Sequence, residues 1–151
     1  MTFSTTFHSP AGPLVLEGDD RRLTRLGFGE SSQAPGGDAA AIASAAIQLA
    51  QYFAGERTEF DLELDLRGTP FELRVWDEVR RIPYGETATY AEIACRVGRP
   101  SACRAVGRAN GRNPVAVIVP CHRVLGSDGS LTGYAGGLPM KRALLELERA
   151  A

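Results

Sequence analysis

The sequence predicts an α+β protein: a small N-terminal α/β lobe over residues 1–67, then a mostly helical domain with a helix-turn-helix over residues 68–151. Three observations predict it. Short segments bounded by turn residues fill the first 28 positions and read as strands. Two Thr-x-x-Glu capping boxes open helices further on. Finally, a glycine-containing turn joins two short helical stretches.

The strand candidates are Thr5–Phe7, Pro13–Glu17 and Leu23–Phe28, with Gly18-Asp19-Asp20 setting up a hairpin between the last two. Ser31 to Asp38, with Pro35, Gly36 and Gly37, reads as a loop. From Ala39 the apolar spacing turns helical through Ile42, Ala45, Ala46, Leu49, Tyr52 and Phe53, up to Gly55. Phe60, Leu62, Leu64 and Leu66 alternate with acids, as in a strand with one solvated face. Nothing in this lobe suggests chemistry.

Gly68 marks the expected boundary. Thr69-Pro70-Phe71-Glu72 opens a helix to about Ile82, with Leu73, Trp76 and Val79 inward. Thr89-Tyr90-Ala91-Glu92 opens a second, closed by Gly98. Ser101 is placed to cap a third, Ala102 to Ala109, closed by Asn110-Gly111. On it Ala102, Val106 and Ala109 face inward, while Arg104 and Arg108, four apart, share another face. That arrangement suits DNA contact and equally suits plain solubility. Gly107 permits close backbone approach or merely weakens the helix. A last helix starts at Pro139, with Met140, Ala143, Leu144 and Leu147 on one face.

At 151 residues, the chain suffices for one full domain or two small lobes sharing a core. No apolar stretch approaches a membrane span, and the N-terminus lacks the pattern of a signal peptide. Three cysteines are an odd number without metal-finger spacing, which points to reduced thiols in a cytoplasm. With only His8 and His122 available, no structural zinc is expected.

A net charge of −1 argues by itself against nucleic acid. The distribution argues the other way. Residues 1–66 hold ten acids and four arginines, whereas residues 67–151 hold thirteen bases and eight acids. Between Ile93 and Ser127 there is no acid and there are six arginines, enough for a locally cationic face that holds a polyanion.

The chemistry centres on one cysteine. Val115 to Val119, five apolar residues, read as a buried strand or extended segment that ends at Pro120-Cys121-His122-Arg123. A thiol becomes a strong carbon nucleophile as thiolate, a form that neighbouring His and Arg favour. Taken alone, the motif fits a reactive thiol or a buried structural one. Asn110-Gly111-Arg112-Asn113-Pro114 forms a fixed turn before it, in which Asn113 can satisfy local backbone groups. Gly126-Ser127-Asp128-Gly129 reads as a hairpin turn, and Gly133-Tyr134-Ala135-Gly136-Gly137 as a flexible loop able to close over a flat ligand.

These motifs, together with Ile82-Pro83-Tyr84-Gly85-Glu86-Thr87 and Arg104-Ala105-Val106-Gly107, closely resemble the O6-alkylguanine-DNA alkyltransferases from Gly68 to Glu148. The first lobe resembles the family's variable, ribonuclease-H-like N-terminal domain more loosely. The resemblance implies a monomer that repairs duplex DNA by one irreversible transfer of an alkyl group from O6-alkylguanine to Cys121, without cofactor or metal, and leaves activity on O4-alkylthymine open. It implies that His122 takes the thiol proton through a water and that Glu148 orients the histidine. Tyr90 then assists the leaving guanine and contacts DNA, and Asn113 braces the site. Arg104 is the finger that fills the gap left in the duplex, with Arg108 and Ser101 also on the DNA side. Val124, Tyr134, Ala135 and Gly136 form the base pocket. Flipping is needed because O6 is out of a thiol's reach inside the stack. Arg108 stands where many members have a small residue, and Ala135 replaces a serine, keeping a backbone donor but no hydroxyl. Two rival classes remain: a non-catalytic alkyltransferase-like DNA binder, which would lack the acceptor cysteine, and a transcriptional regulator with a structural cysteine.

Overall fold

The computed structural model describes residues 2–31, 40–131 and 133–149. The expected loop from Ser31 to Asp38 lies, apart from Ser31, outside them. Three antiparallel strands, β1 (Phe3–Ser9), β2 (Gly12–Gly18) and β3 (Leu23–Phe28), form a sheet in that order. β1 and β2 pair without interruption from Phe3 opposite Gly18 to Ser9 opposite Gly12. A register shift at Glu17/Gly18 bends the β2–β3 hairpin. Helix α1 (Ala40–Phe53) covers one face of the sheet and buries Ile42, Ala45, Leu49 and Tyr52 against Leu14, Leu16, Leu23 and Leu26.

Residues 60–66 form no strand, and their side chains alternate as expected only as far as Leu64, since Asp65 is half-buried like its neighbours. Among the described residues this segment makes one bridge, Leu23 to Leu64, through Leu23 N–H to Glu63 C=O (2.9 Å) and Asp65 N–H to Leu23 C=O (3.0 Å). The alternation records which side faces the core; a full ladder also needs a partner running alongside.

The second region begins with α2 (Pro70–Arg80), whose capping box closes in both directions between Thr69 and Glu72. Val75, Trp76 and Val79 are buried, whereas Leu73 is 40% exposed, so the inward stripe keeps three members but has Val75 in place of the expected Leu73. Trp76 Nε1–H donates to Ala109 C=O at 2.8 Å and ties α2 to the helix-turn-helix. That unit is α3 (Tyr90–Arg96), with a second complete capping box at Thr89 and Glu92, and α4 (Cys103–Gly111). Gly98, at φ +78°, turns the chain between them. Ser101 does not cap α4. The helix starts one residue later than expected, its N-cap is Ala102, and no side chain serves the first turn.

The largest departure is at Val115–Val119, which is a tight turn and not a strand. Val119 N–H returns to Val115 C=O at 3.0 Å, and Val117 sits at φ +70°. That conformation is uncommon for a β-branched residue and is held here by total burial. The sheet fixes this turn: Leu26 N–H donates to Pro114 C=O (2.9 Å), and Ala116 N–H to Leu26 C=O (3.0 Å). Cys121–Arg123 then make one 3₁₀ turn. β4 (Ala88–Thr89) and β5 (Val124–Leu125) pair in parallel, so the Gly126–Gly129 turn closes no hairpin. Helix α5 (Leu138–Arg149) turns Met140, Lys141, Leu144, Leu145 and Glu148 inward, a stripe rotated from the expected one, with Ala143 and Leu147 half-buried. One hydrophobic core runs through both regions.

Candidate functional site

Asn113 builds the approach to Cys121. Its Oδ1 accepts from Val115 N–H (3.0 Å) and its Nδ2 donates to Val119 C=O (2.8 Å), which closes the strained turn on itself. Its amide also contacts the Cys121 thiol. Thus the local backbone role and the bracing role coincide in one side chain. Asn110, read from sequence as a helix terminus and the first residue of the linking turn, is buried and donates to Cys121 C=O at 3.3 Å.

The 3₁₀ turn places Cys121, His122 and Arg123 in the interior, and α5 brings Glu148 to them. His122 Nε2 lies 2.7 Å from Glu148 Oε2. Arg123 donates through Nε to Oε1 (2.8 Å) and through its terminal nitrogen to Oε2 (3.0 Å), and gives a third hydrogen bond to Ile82 C=O (2.7 Å). The hydroxyl of Tyr52, from α1, donates to Glu148 Oε2 at 2.6 Å. Four hydrogen bonds therefore converge on one carboxylate. His122 Nδ1 has no partner among the described residues and remains an acceptor site.

The electrostatics follow from this burial. Burial pushes the Cys121 thiol up, and the adjacent Asn113 amide, Tyr134 hydroxyl and Lys141 ammonium offset only part of the effect. The resting thiol is therefore neutral, contrary to the expectation that His and Arg hold it as thiolate; the Arg123 fork is spent on Glu148. Burial lowers the His122 pKa despite the Glu148 hydrogen bond, so the imidazole is neutral at neutral pH. Burial alone would raise Glu148, but its bonds from His122, Arg123 and Tyr52 bring it down to about 2. The ionic partner of Glu148 is thus Arg123. What this arrangement can do is move a proton from a neutral thiol to a neutral, oriented imidazole when an electrophile arrives.

Lys141 is wholly buried, and its ammonium donates to Val124 C=O at 2.7 Å. Burial lowers its pKa, and a charge on Cys121 would raise it again. The signal for Lys141 was a lysine and a glutamate seven apart on the apolar stripe of α5.

Tyr134 hangs over the thiol from the 133–137 loop, with its hydroxyl buried and its ring edge-on to Phe28 at 5.2 Å between centroids. At Gly136 the loop backbone lies directly against the Phe28 ring. A Cβ there would stand 2.6 Å from the Phe28 ring. Gly136→Ala is expected to lower stability by about 1–3 kcal/mol and to slow Cys121 reactions. A thermal melt matching wild type with an unchanged rate would show that the loop relaxes freely. Ala135 lines a small cavity with Phe28 and Asn113, whereas Val124 is wholly buried in β5 and is not among the residues lining that cavity.

On the helix-turn-helix, Arg104, Arg108 and Ser101 are exposed and Tyr90 is half-buried at the start of α3. A Cβ at Gly107 would make an ordinary 3.9 Å contact with Tyr90, so helix packing there does not demand glycine.

Fold and site together define a helix-turn-helix protein that holds a buried thiol beside a histidine–carboxylate pair. Family models match it in two consecutive pieces: the 6-O-methylguanine DNA methyltransferase ribonuclease-like domain over residues 2–66, and the DNA-binding domain of the same family over residues 70–150. The chain belongs to the 6-O-methylguanine DNA methyltransferase family. It is 56% identical over 150 residues to the methylated-DNA–protein-cysteine methyltransferase of Mycobacterium tuberculosis, covering 96% of this chain and 91% of that protein. It is 43% identical over 164 residues to the constitutive enzyme of Bacillus subtilis, covering 99% and 96%. The crystal structure of the Mycobacterium tuberculosis O6-methylguanine methyltransferase superposes with a TM-score of 0.90 at 54% identity, covering 99% of this chain and 94% of that one. That of Mycobacterium tuberculosis OGT in complex with DNA gives 0.88 at 56% identity, covering 96% and 91%.

Proposed function

We propose that this protein repairs O6-alkylguanine in duplex DNA by a single, irreversible transfer of the alkyl group to Cys121. The observation that carries this reading is the buried thiol next to His122, whose Nε2 is engaged by Glu148 while Nδ1 is left to accept. In the step itself the thiol proton passes through water to His122 Nδ1. The sulfur–carbon bond forms as the carbon–O6 bond breaks, and the electron pair leaves on guanine, which gains a proton with help from Tyr90. Glu148 holds the imidazole and offsets the charge it acquires. Asn113 steadies the turn that presents the sulfur. Tyr134, the Ala135 backbone N–H, Gly136 and Val124 frame the base. The first lobe, residues 1–67, supports the turn before Cys121, while residues 68–151 carry the DNA face and the thiol. A monomer acting in the cytoplasm fits the free thiols. A thioether at Cys121 is a stable product with no good leaving group, so the transfer happens once. The non-catalytic binder is disfavoured because both the acceptor thiol and its oriented histidine are present.

Incubation with methyl-labelled duplex DNA tests this: one label per chain is expected, on the peptide that contains Cys121. Sustained turnover, or label on Cys95 or Cys103, would overturn it.

The two arginines of α4 have separable roles in this reading. Arg104 fills the stack when the base leaves; Arg108, one turn on, meets phosphate. Arg104→Ala is expected to slow repair in duplex DNA far more than reaction with free O6-benzylguanine, which needs no flipping. Arg108→Ala should weaken binding to damaged and undamaged duplex alike and reduce the log–log salt slope by about one. Equal loss of the free-base reaction in Arg104→Ala would mean that this residue shapes the pocket instead.

A further inference from the structure

Tyr52 belongs to α1, the helix that otherwise serves the first lobe's core, and it is completely buried. Its ring packs edge-on against Phe53 and Tyr84 and tilted on Phe60. Any backbone carbonyl could satisfy the hydroxyl of a merely structural tyrosine. This one reaches 96 residues along the chain to Glu148 Oε2, the oxygen that also holds His122 Nε2.

We propose that Tyr52 is a positioning residue for the alkyl transfer: through Glu148 it fixes the orientation and tempers the basicity of His122. The inference rests on the reading of His122 and Glu148 as base and orienter. Two effects follow from sharing one oxygen. First, the Tyr52 hydroxyl sets the plane of the carboxylate, together with the Arg123 fork, and so sets the direction in which His122 Nε2–H must point. Nδ1, which has no partner among the described residues, is thereby held in one direction. Second, a carboxylate oxygen that already accepts from Tyr52 draws less strongly on the imidazole N–H. Loss of the hydroxyl leaves Oε2 freer to stabilise imidazolium, so His122 takes a proton at higher pH and the base is lost sooner on acidification.

The other titratable and charged groups that act on this cluster are Arg123 from the 3₁₀ turn, Lys141 from α5, Tyr84 from the loop after α2, and Tyr134 from the 133–137 loop, which also faces Cys121.

The test compares single-turnover rates against pH for wild type, Tyr52→Phe and Glu148→Gln, with methylated duplex and with free O6-benzylguanine. For Tyr52→Phe the expected result is a rate at neutral pH about tenfold lower on both substrates and an acid limb displaced to higher pH by about half a unit or more. Duplex affinity should stay within about twofold. A profile that superimposes on wild type, or a uniform loss with the limb unmoved, overturns the proposal; the second result marks Tyr52 as structural. If Glu148→Gln also matches wild type, the base–orienter reading itself has failed. A slow Glu148→Gln beside an unaltered Tyr52→Phe removes only this inference. Should Tyr52→Phe fold poorly, 3-fluorotyrosine at position 52 keeps the ring and strengthens the donor. The limb should then move to lower pH, and an unmoved limb overturns the proposal.

Discussion

Replacing Cys121 by serine is expected to abolish alkyl transfer while leaving duplex binding in place. Serine is close to cysteine in size, so a site of this burial retains its packing. The chemistry is another matter. The resting thiol is already neutral because of burial, and the neutral imidazole beside it must remove its proton as the new bond forms. A hydroxyl is far less acidic, and the same desolvation opposes an alkoxide even more strongly. A loss of at least about four orders of magnitude in single-turnover rate is expected, roughly 5 kcal/mol of barrier. Binding should survive because Arg104 and Arg108 stand exposed on α4. Rates are read by quenched-flow label transfer and affinity by titration of labelled duplex. Transfer above about a hundredth of the wild-type rate would place the acceptor elsewhere, Cys103 first among the alternatives because it lies half-buried on α4.

Glu148→Gln should combine a kinetic and a thermodynamic effect. Loss of the charge deprives His122 of the group that stabilises its imidazolium form, which should slow transfer by about a hundredfold or more. It also leaves the Arg123 guanidinium buried without a counter-charge, which costs about 3–5 kcal/mol of stability. DNA affinity should be nearly unchanged, since Glu148 is 3% exposed. The acid profile separates the terms. The Glu148 pKa falls from 4.5 to about 2 on folding, so the unfolded chain binds the extra proton in that window. This group's contribution of about 3 kcal/mol is present above pH 4.5 and lost as pH falls towards 2. His122, also lowered, erodes stability from its ordinary 6.5 downwards for the same reason. Denaturant melts across pH should show the lower step in wild type and lose it in Glu148→Gln. If binding weakens while the single-turnover rate is spared, the carboxylate is structural and its assigned role fails.

What the sequence reveals about this molecule depends on how local the cause is. Both capping boxes were legible because Thr69 and Glu72, and Thr89 and Glu92, determine each other within one turn. The β2–β3 hairpin was legible from Gly18-Asp19-Asp20, whereas the 126–129 turn misled; Cys121 stood out by residue type, and its acceptor role came from the family resemblance. The misreadings fall where a distant partner decides. Val115–Val119 is β-branched and apolar, so it reads as a strand. Asn113 and Leu26 fold it into a turn, which puts Val117 in a conformation that propensity argues against. The alternation of residues 60–66 gave the correct faces up to Leu64 and the wrong ladder. Ser101 was a sound cap candidate set one residue too early. Tyr52 was legible only as one member of a helical apolar stripe; nothing within α1 signals that its hydroxyl meets a carboxylate 96 positions later.

That span has a consequence for how the molecule folds. The acceptor thiol owes its setting to two long-range pairings, between residues 26 and 115 and between residues 52 and 148. Loop-closure entropy must be overcome before such contacts form, so they arise with global collapse and not from any local segment. A partly folded chain therefore has its helices and its cysteine but not the oriented base. Nucleophilic power emerges only once the whole topology closes, and a chain whose lobes have parted presents an ordinary thiol.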